Sequence, residues 1–160
     1  GLQSANDETL KEINRGHDAA CYIDAAERLH RYGLKLSTHV ILGLPGEVQS
    51  DFDNTIRVVG SVKSEAIKIH NLHITGGTRL ADEYREGLFT VSSTARHLEI
   101  AERALRLLHP DVIVQRLVCE TPSHRLIAPR YFYDKSRFLT ALNDRMTAHG
   151  TMQGDLYEGI

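Results

Sequence analysis

Cysteine is scarce in this 160-residue chain: there are two, Cys21 and Cys119. They lie too far apart for a CxxC-type metal motif, and with no secretory signal in view both are expected as free thiols filling small apolar sites. Long apolar runs are missing as well. No stretch approaches the roughly 18 residues that a membrane-spanning helix needs. The chain opens Gly1-Leu2-Gln3-Ser4, with no charged targeting arm and no initiator Met, so a cytoplasmic chain cut from something longer is expected. Excess charge of either sign is lacking too. The 19 Lys and Arg against 21 Asp and Glu leave −2, which gives no general reason to expect nucleic acid beyond a local basic patch. With 41% apolar and 25% charged residues the composition is that of one folded domain, not of a disordered or low-complexity chain.

What is present is regular punctuation. Ser4 and Asn6 can cap a short helix through Leu10 and Ile13 that stops near Gly16. Asp18 can cap a second helix with Tyr22, Ala25, Ala26 and Leu29 on one stripe, closed by Gly33. Residues 34–42 read as a strand and end in the turn Gly43-Leu44-Pro45-Gly46. Ser50 or Asp51 starts a helix that buries Phe52, Ile56 and Val59. A second strand covers 66–74, Gly76-Gly77 breaks it, and a short helix follows around 80–85. Ser92 and Ser93 open a longer helix with Leu98, Ala101, Leu105 and Leu108, ended by Pro110. A third strand covers 112–118, and a last helix over 135–149 carries Phe138, Leu139, Leu142 and Met146. The polar tail after Gly150 is expected to be loose.

Helices thus alternate with strands that look apolar on both faces, the pattern of consecutive βα units on a parallel sheet. Gly1–Ser4 reads as the end of a strand. A full eight-stranded barrel needs about 250 residues, so the expected fold is α/β: a partial (βα) barrel with outer helices over residues 1–150, about half of a whole one, and a tail over 151–160. Its missing strands would leave open edges and an uncovered apolar interior, which predicts pairing with a second copy or cover from its own termini.

In parallel α/β folds ligands sit beyond the carboxyl ends of strands. Gln3 and Ser4 lie at one such end, where they can meet a ligand hydroxyl or simply satisfy the next helix N-terminus. His39, Ile41 and Gly43 share a strand face. Gly43 can let a flat ring approach the backbone, or can be there for the turn alone. Ile41 offers an apolar wall, and Leu44 offers its backbone. His70 and His73, with two residues between them, point to opposite faces of a straight strand and make a poor metal pair, so no metal site is assigned. Arg15 can hold a carboxylate in a forked contact, or can act as a helix C-terminal cation.

Taken together, GLQSANDETLKEINRGHDAACY (1–22), THVILGLPGE (38–47), IKIHNLHITGGTRLADEYREG (67–87), VIVQRL (112–117), LIAP (126–129) and Gly150-Thr151-Met152-Gln153-Gly154 resemble the radical S-adenosylmethionine superfamily. Within it they look like a bacterial branch related to the Elongator catalytic-subunit radical domain and the oxygen-independent coproporphyrinogen oxidases. The resemblance implies a partial (βα) barrel and a [4Fe–4S] cluster held by a CxxxCxxC loop. It also implies S-adenosylmethionine bound to the cluster and cleaved by one electron to a 5′-deoxyadenosyl radical. It assigns Gln3, beside Ser4, to the ribose hydroxyls, Arg15 to the methionine carboxylate, and His39 to the ribose side. Ile41, Gly43 and Leu44 would meet adenine, and Leu72 and His73 would lie near adenine and substrate.

The departures from the family are equally informative. The cysteine loop and the glycine-rich motif that meets the methionine amine are absent. His39 stands where the adenine motif commonly has Gly, and Glu47 falls one place late. The chain is therefore expected to be the C-terminal half of a radical enzyme, to hold no cluster by itself, and to need the missing N-terminal half as its partner. The resemblance makes tRNA wobble uridine the expected substrate of the parent, with a small molecule as the alternative. Arg125, Arg130, Tyr131, Phe132, Tyr133, Lys135 and Arg137 could stack bases and meet phosphates, or could form a solvated edge. Two other classes stay open: a metal-dependent hydrolase using His39, His70 and His73, and a non-catalytic half-barrel binding module.

Overall fold

Short polar caps set the boundaries of most helices. The computed structural model describes residues 1–159. Asn6 accepts from the Glu8 and Thr9 amides to start α1 (Asp7–Glu12), and Asp18 accepts from Cys21 to start α2 (Ala19–Arg31). β1 (Ser37–Leu42) leads to α3 (Gln49–Ser61), where the Asp51 carboxylate takes the Val48 amide at 2.8 Å. β2 (Ala66–Asn71) and the two-residue β3 (Ile74–Thr75) precede α4 (Arg79–Arg85), capped by Thr78. Ser93 caps α5 (Thr94–Leu107), which runs to β4 (Ile113–Arg116). β5 (Leu126–Ala128) is followed by α6 (Lys135–His149), capped by Asp134 and closed by Gly150 at φ 63°.

β1, β2 and β4 form one parallel sheet in that order, and β3 pairs antiparallel with β5. The opening residues extend the sheet at β1. Gln3 N–H donates to His39 O at 2.9 Å, and Ile41 N–H donates to Gln3 O at 2.9 Å, a parallel bridge. The strand stub expected at the start of the sequence is therefore there. The fold is an α/β half-barrel with its helices outside.

Burial alternates along β1. Thr38, Val40 and Leu42 are buried against the helices, while Ser37, His39 and Ile41 face the other way. α3, α5 and α6 contribute Phe52, Ile56, Val59, Ile100, Leu105, Phe138 and Leu142 to the same core. The buried hydroxyls in this layer are paired: Tyr22 with Thr38 at 2.5 Å, and Thr38 with Ser64 at 2.7 Å.

Four expectations need correction. Residues 34–36 belong to the helix exit and its loop rather than to a strand, since Leu34 N–H still bonds to Leu29 O at 3.1 Å. Residues 72–74 leave the parallel sheet for β3, and 117–118 leave β4 to pack in the core. The strands are not apolar on both faces, because helices cover only one; the concave side shows Ser37, His39, Lys68, His70 and Gln115. Residues 151–156 of the tail are not loose, while Ile160 lies outside the described residues: Gly154 N–H and Leu156 N–H bond to Leu105 O and Arg106 O at 3.1 and 2.9 Å, and the Gln153 amide reaches the His109, Pro110 and Val112 carbonyls at 2.9–3.0 Å.

Candidate functional site

The carboxyl ends of the parallel strands gather most of the polar side chains that the sequence singles out. Gln3 takes φ 69°, unusual for a residue with a Cβ. Leu2 before it is fully buried in the core, while the Gln3 amide nitrogen lies 2.7 Å from the point where Gly1 would carry a Cβ. His39 Cβ is 2.9 Å from that same point, so the Gln3 amide and His39 share one side of the strand. Arg15 Nη2 donates to Gly1 O at 3.0 Å, and its Nε is buried without a partner. Arg15 is thus fixed at the stub with one donor unused, beside a cavity of about 530 Å³ that Asn14, Gly16 and Asp18 also line.

His39 and His70 stack across β1 and β2, with ring centroids 5.5 Å apart and planes 26° from parallel. Burial, then the Lys68 charge, lowers the His39 pKa; burial, then His39, Arg116 and Lys68, pushes His70 down to about 4. Both rings are neutral near pH 7. His70 Nε2 is buried with no partner. His73 bonds through Nδ1 to Thr121 Oγ1 at 2.8 Å, its pKa lowered by burial. Among the described residues no three His, Cys, Asp or Glu side chains converge as a metal site, so a hydrolase lacks its ligand set here.

Ile41, Leu44 and Leu72 come together. Leu44 and Leu72 are buried in a small apolar cluster with Ile74, Ala81 and Ala128, and Ile41 packs against it. Gly43 has φ 95°, and a Cβ there would meet Ser92 Oγ at 3.0 Å. The turn and its close neighbour account for that glycine, and the space its missing side chain leaves is taken by Ser92. Ser4 is corrected more firmly. It is fully buried, its Oγ accepts from Asn6 N–H at 3.0 Å and donates to Glu47, so none of it reaches a ligand.

Glu47 is a residue whose role the sequence left undefined. Its carboxyl is pushed up to about 7 by burial, against the hydrogen bond from Ser4. The only sequence signal was an acid closing GLPGE. Lys68 and Arg116 were also missed, although Lys68 and His70 alternate along β2 as His39 and Ile41 do along β1.

The cysteines do not suit a cluster. Cys21 is exposed on α2, contrary to its expected burial; Cys119 is half-buried, its Sγ 3.2 Å from Asn71 O, and burial pushes its thiol up to about 11. Two separated thiols do not supply three thiolates, so this chain's own residues do not fit a [4Fe–4S] cluster. A further cavity of about 520 Å³ lies at the opposite end of the sheet, lined by Lys35, Lys63, Val112 and Tyr157.

Comparison with known proteins gives a consistent result. Residues 1–59 match the family described as Radical SAM superfamily, and residues 64–148 match the Radical_SAM C-terminal domain. The uncharacterized protein YtqA of Bacillus subtilis (strain 168) is 30% identical over 100% of this chain and 50% of its own length. The tRNA-2-methylthio-N(6)-dimethylallyladenosine synthase of Alkalilimnicola ehrlichii (strain ATCC BAA-1101 / DSM 17681 / MLHE-1) is 41% identical over 38% of this chain and 14% of its own. The structure of archaeal Methanocaldococcus infernus Elp3 with an N-terminal deletion superposes with a TM-score of 0.84 at 23% identity, over 96% of this chain and 36% of that one. The chain spans about half the length of the curated relatives it matches over most of its length.

Proposed function

Because the chain belongs to the radical SAM superfamily, we propose that it is the C-terminal half of such an enzyme's barrel and carries the wall for the adenosine and carboxylate of S-adenosylmethionine. Membership implies S-adenosylmethionine and a [4Fe–4S] cluster in general. On this reading the thiolates for the cluster come from sequence beyond this chain, and the radical chemistry belongs to the whole enzyme.

The observation that carries the proposal is the strand stub beside β1. It sets the Gln3 amide against His39 and holds Arg15 by one nitrogen with Nε still unpaired. Arg15 suits a carboxylate, since a guanidinium donates in a fork that a carboxylate matches. Gln3 can donate to and accept from ribose hydroxyls. Ile41, with Leu44 and Leu72 behind it, gives the apolar surface that an adenine ring needs. His39, neutral, lines the ribose side, and His73 stands at the margin, next to substrate.

For the parent enzyme we infer a tRNA substrate. Two things support this: the partial similarity to a tRNA-modifying synthase, and the exposed basic and aromatic segment near α6. Tyr131 there is 97% exposed, Phe132 stacks on Phe138 at 5.9 Å, and Arg137 lies 4.0 Å over the Tyr133 ring.

Equilibrium dialysis with S-adenosylhomocysteine, which keeps the adenosine and the amino-acid end, tests the proposal. The chain should bind it saturably, Arg15→Ala should weaken it about tenfold through one lost charge-assisted contact, and Ser4→Ala should leave it unchanged. No saturable binding, or equal binding by Arg15→Ala, would overturn the assignment. Labelled tRNA should bind less as salt rises, and less again to Tyr131→Ala.

A further inference from the structure

The concave face of the sheet carries more positive charge than a nucleoside wall uses. At one level across the three strands, His39 pairs with Lys68 and Lys68 with Arg116; at the next level toward the strand ends, Ile41 pairs with His70. Neighbours at one level of a regular sheet point to the same face. Arg116 joins the row through an irregularity. Between Ile67 and Lys68 the partner on β4 jumps from Val114 to Arg116, so Gln115 is an extra residue. Strict alternation would send Gln115 and Arg116 to opposite faces. Here Gln115 Oε1 accepts from Ser37 Oγ at 2.9 Å across the concave face, Arg116 is exposed, and Leu117 turns into the core. Bulges of this kind re-aim a side chain, and they recur beside active sites.

Ser37, Ile41, Ala66, Ile113 and Gln115 occupy the rest of the face, and none is a carboxylate. Among the described residues neither Lys68 nor Arg116 takes part in an ion pair. Both lie close enough to the stacked histidines to disfavour their charged forms. His70 Nε2 is buried beside them with no partner. A guanidinium fork, an ammonium and an unused imidazole nitrogen are therefore collected on one surface with nothing negative to meet them.

We propose that Lys68, Arg116 and His70 form an anion site that takes a phosphate or carboxylate group of the substrate. The site extends one level deeper than the strand ends, about 7 Å at the rise of a strand, so it lies below the adenosine wall. Arg116 would hold two oxygens of the anion, Lys68 would supply a point charge, and His70 in its Nε2-protonated tautomer would donate a third bond. The inference rests on the reading that the concave side is the ligand side, and it narrows the substrate to a molecule with an anionic group.

Chemical-shift titration of the ¹⁵N-labelled chain tests this, with inorganic phosphate, citrate, uridine 5′-monophosphate and uridine as separate ligands. Saturable shifts at Lys68, His70 and Arg116 are expected with the anions and not with uridine. Arg116→Gln and Lys68→Gln should each weaken them about tenfold, the effect of one lost charged hydrogen bond. Lys35→Gln, at the other end of the sheet, should leave them unchanged, and well-dispersed spectra will report that each variant folds. Tighter binding of uridine 5′-monophosphate than of phosphate supports the site with a nucleotide as the source, and preference for citrate supports it with a small carboxylate. Absence of saturable shifts, or shifts that persist in both charge-removed variants, overturns the proposal. A parallel titration with uncharged 5′-deoxyadenosine reads the strand-end wall separately, so failure of one site is not mistaken for failure of the other.

Discussion

Glu47 sits at the strand ends as a half-buried carboxyl held by the Ser4 hydroxyl, and burial pushes its pKa up to about 7. Between pH 4.5 and 7 the folded chain keeps a proton that the unfolded chain gives up. The stability this provides is complete below 4.5 and is lost as pH rises from there through 7, by about 2 kcal/mol once solvent screening of this half-buried group is allowed for. His70 and His97, both pushed down to about 4 by burial, act in the opposite sense: stability is lost as pH falls from 6.5 toward 4. Urea unfolding should therefore find the chain most stable near pH 6.5. Glu47→Gln, which keeps an acceptor for Ser4, should remove the loss on the alkaline side. Between pH 4.5 and 7 wild type should lose stability relative to Glu47→Gln, and if the two keep a constant difference across that window Glu47 is not the cause. Single residues were only partly legible in the sequence. The strand-end positions of Gln3, His39 and Ile41 followed from alternation and chain order. That Ser4 would spend its hydroxyl on Glu47, or that Ser92 would stand against Gly43, depends on partners more than 40 positions away, which spacing does not reveal.

Helix α5 is the element on which the outer layer depends. Its Arg103 forks onto Asp53 of α3 at 2.6–2.9 Å, and its buried Glu102 takes Arg145, His149 and Thr151 from α6 and the tail at 2.6–3.0 Å. Asp53 is 6% exposed, and removing one partner strands the other charge. Asp53→Ala should cost about 2–3 kcal/mol in urea unfolding, discounted because Arg103 is half-exposed. Glu102→Ala should act locally: hydrogen-exchange protection should fall over the end of α6 and residues 151–156 while β1 and β2 keep theirs. Uniform loss of protection, or none, would contradict that role. The caps Asp18 and Ser93 were legible because capping is local chemistry, and the stripe of α5 was legible from its period. β3, β5 and the docked tail were not. Two- and three-residue strands pair across some 50 positions, and the tail is held by polar atoms, Gln153 on three carbonyls and Asp155 on Arg106, which in a sequence look like solvent-facing composition.

At the scale of the whole molecule, a parallel sheet with helices on one side leaves a concave face and an open β4 edge. Ile113 on that edge is 64% exposed, and light scattering should find an association that Ile113→Lys weakens; a monomer at all concentrations would count against pairing. The polar character of the concave face departs from the apolar interior expected, because helices cover only the other face and Ser37, His39, Lys68, His70 and Gln115 lie on this one. Anaerobic treatment with iron and sulfide should leave this chain without cluster absorbance, since its two thiols lie on separate elements; a chain that took up a [4Fe–4S] cluster would show that the ligands were misjudged. The place where S-adenosylhomocysteine binds is the most direct measure of the strand-end wall. A ¹⁵N–¹H shift map of the chain titrated with it should move Gln3, Arg15, His39 and Ile41 together and leave Lys35, Lys63, Val112 and Tyr157 at rest. Shifts confined to the cavity at the opposite end of the sheet, or none at the strand ends, would contradict it.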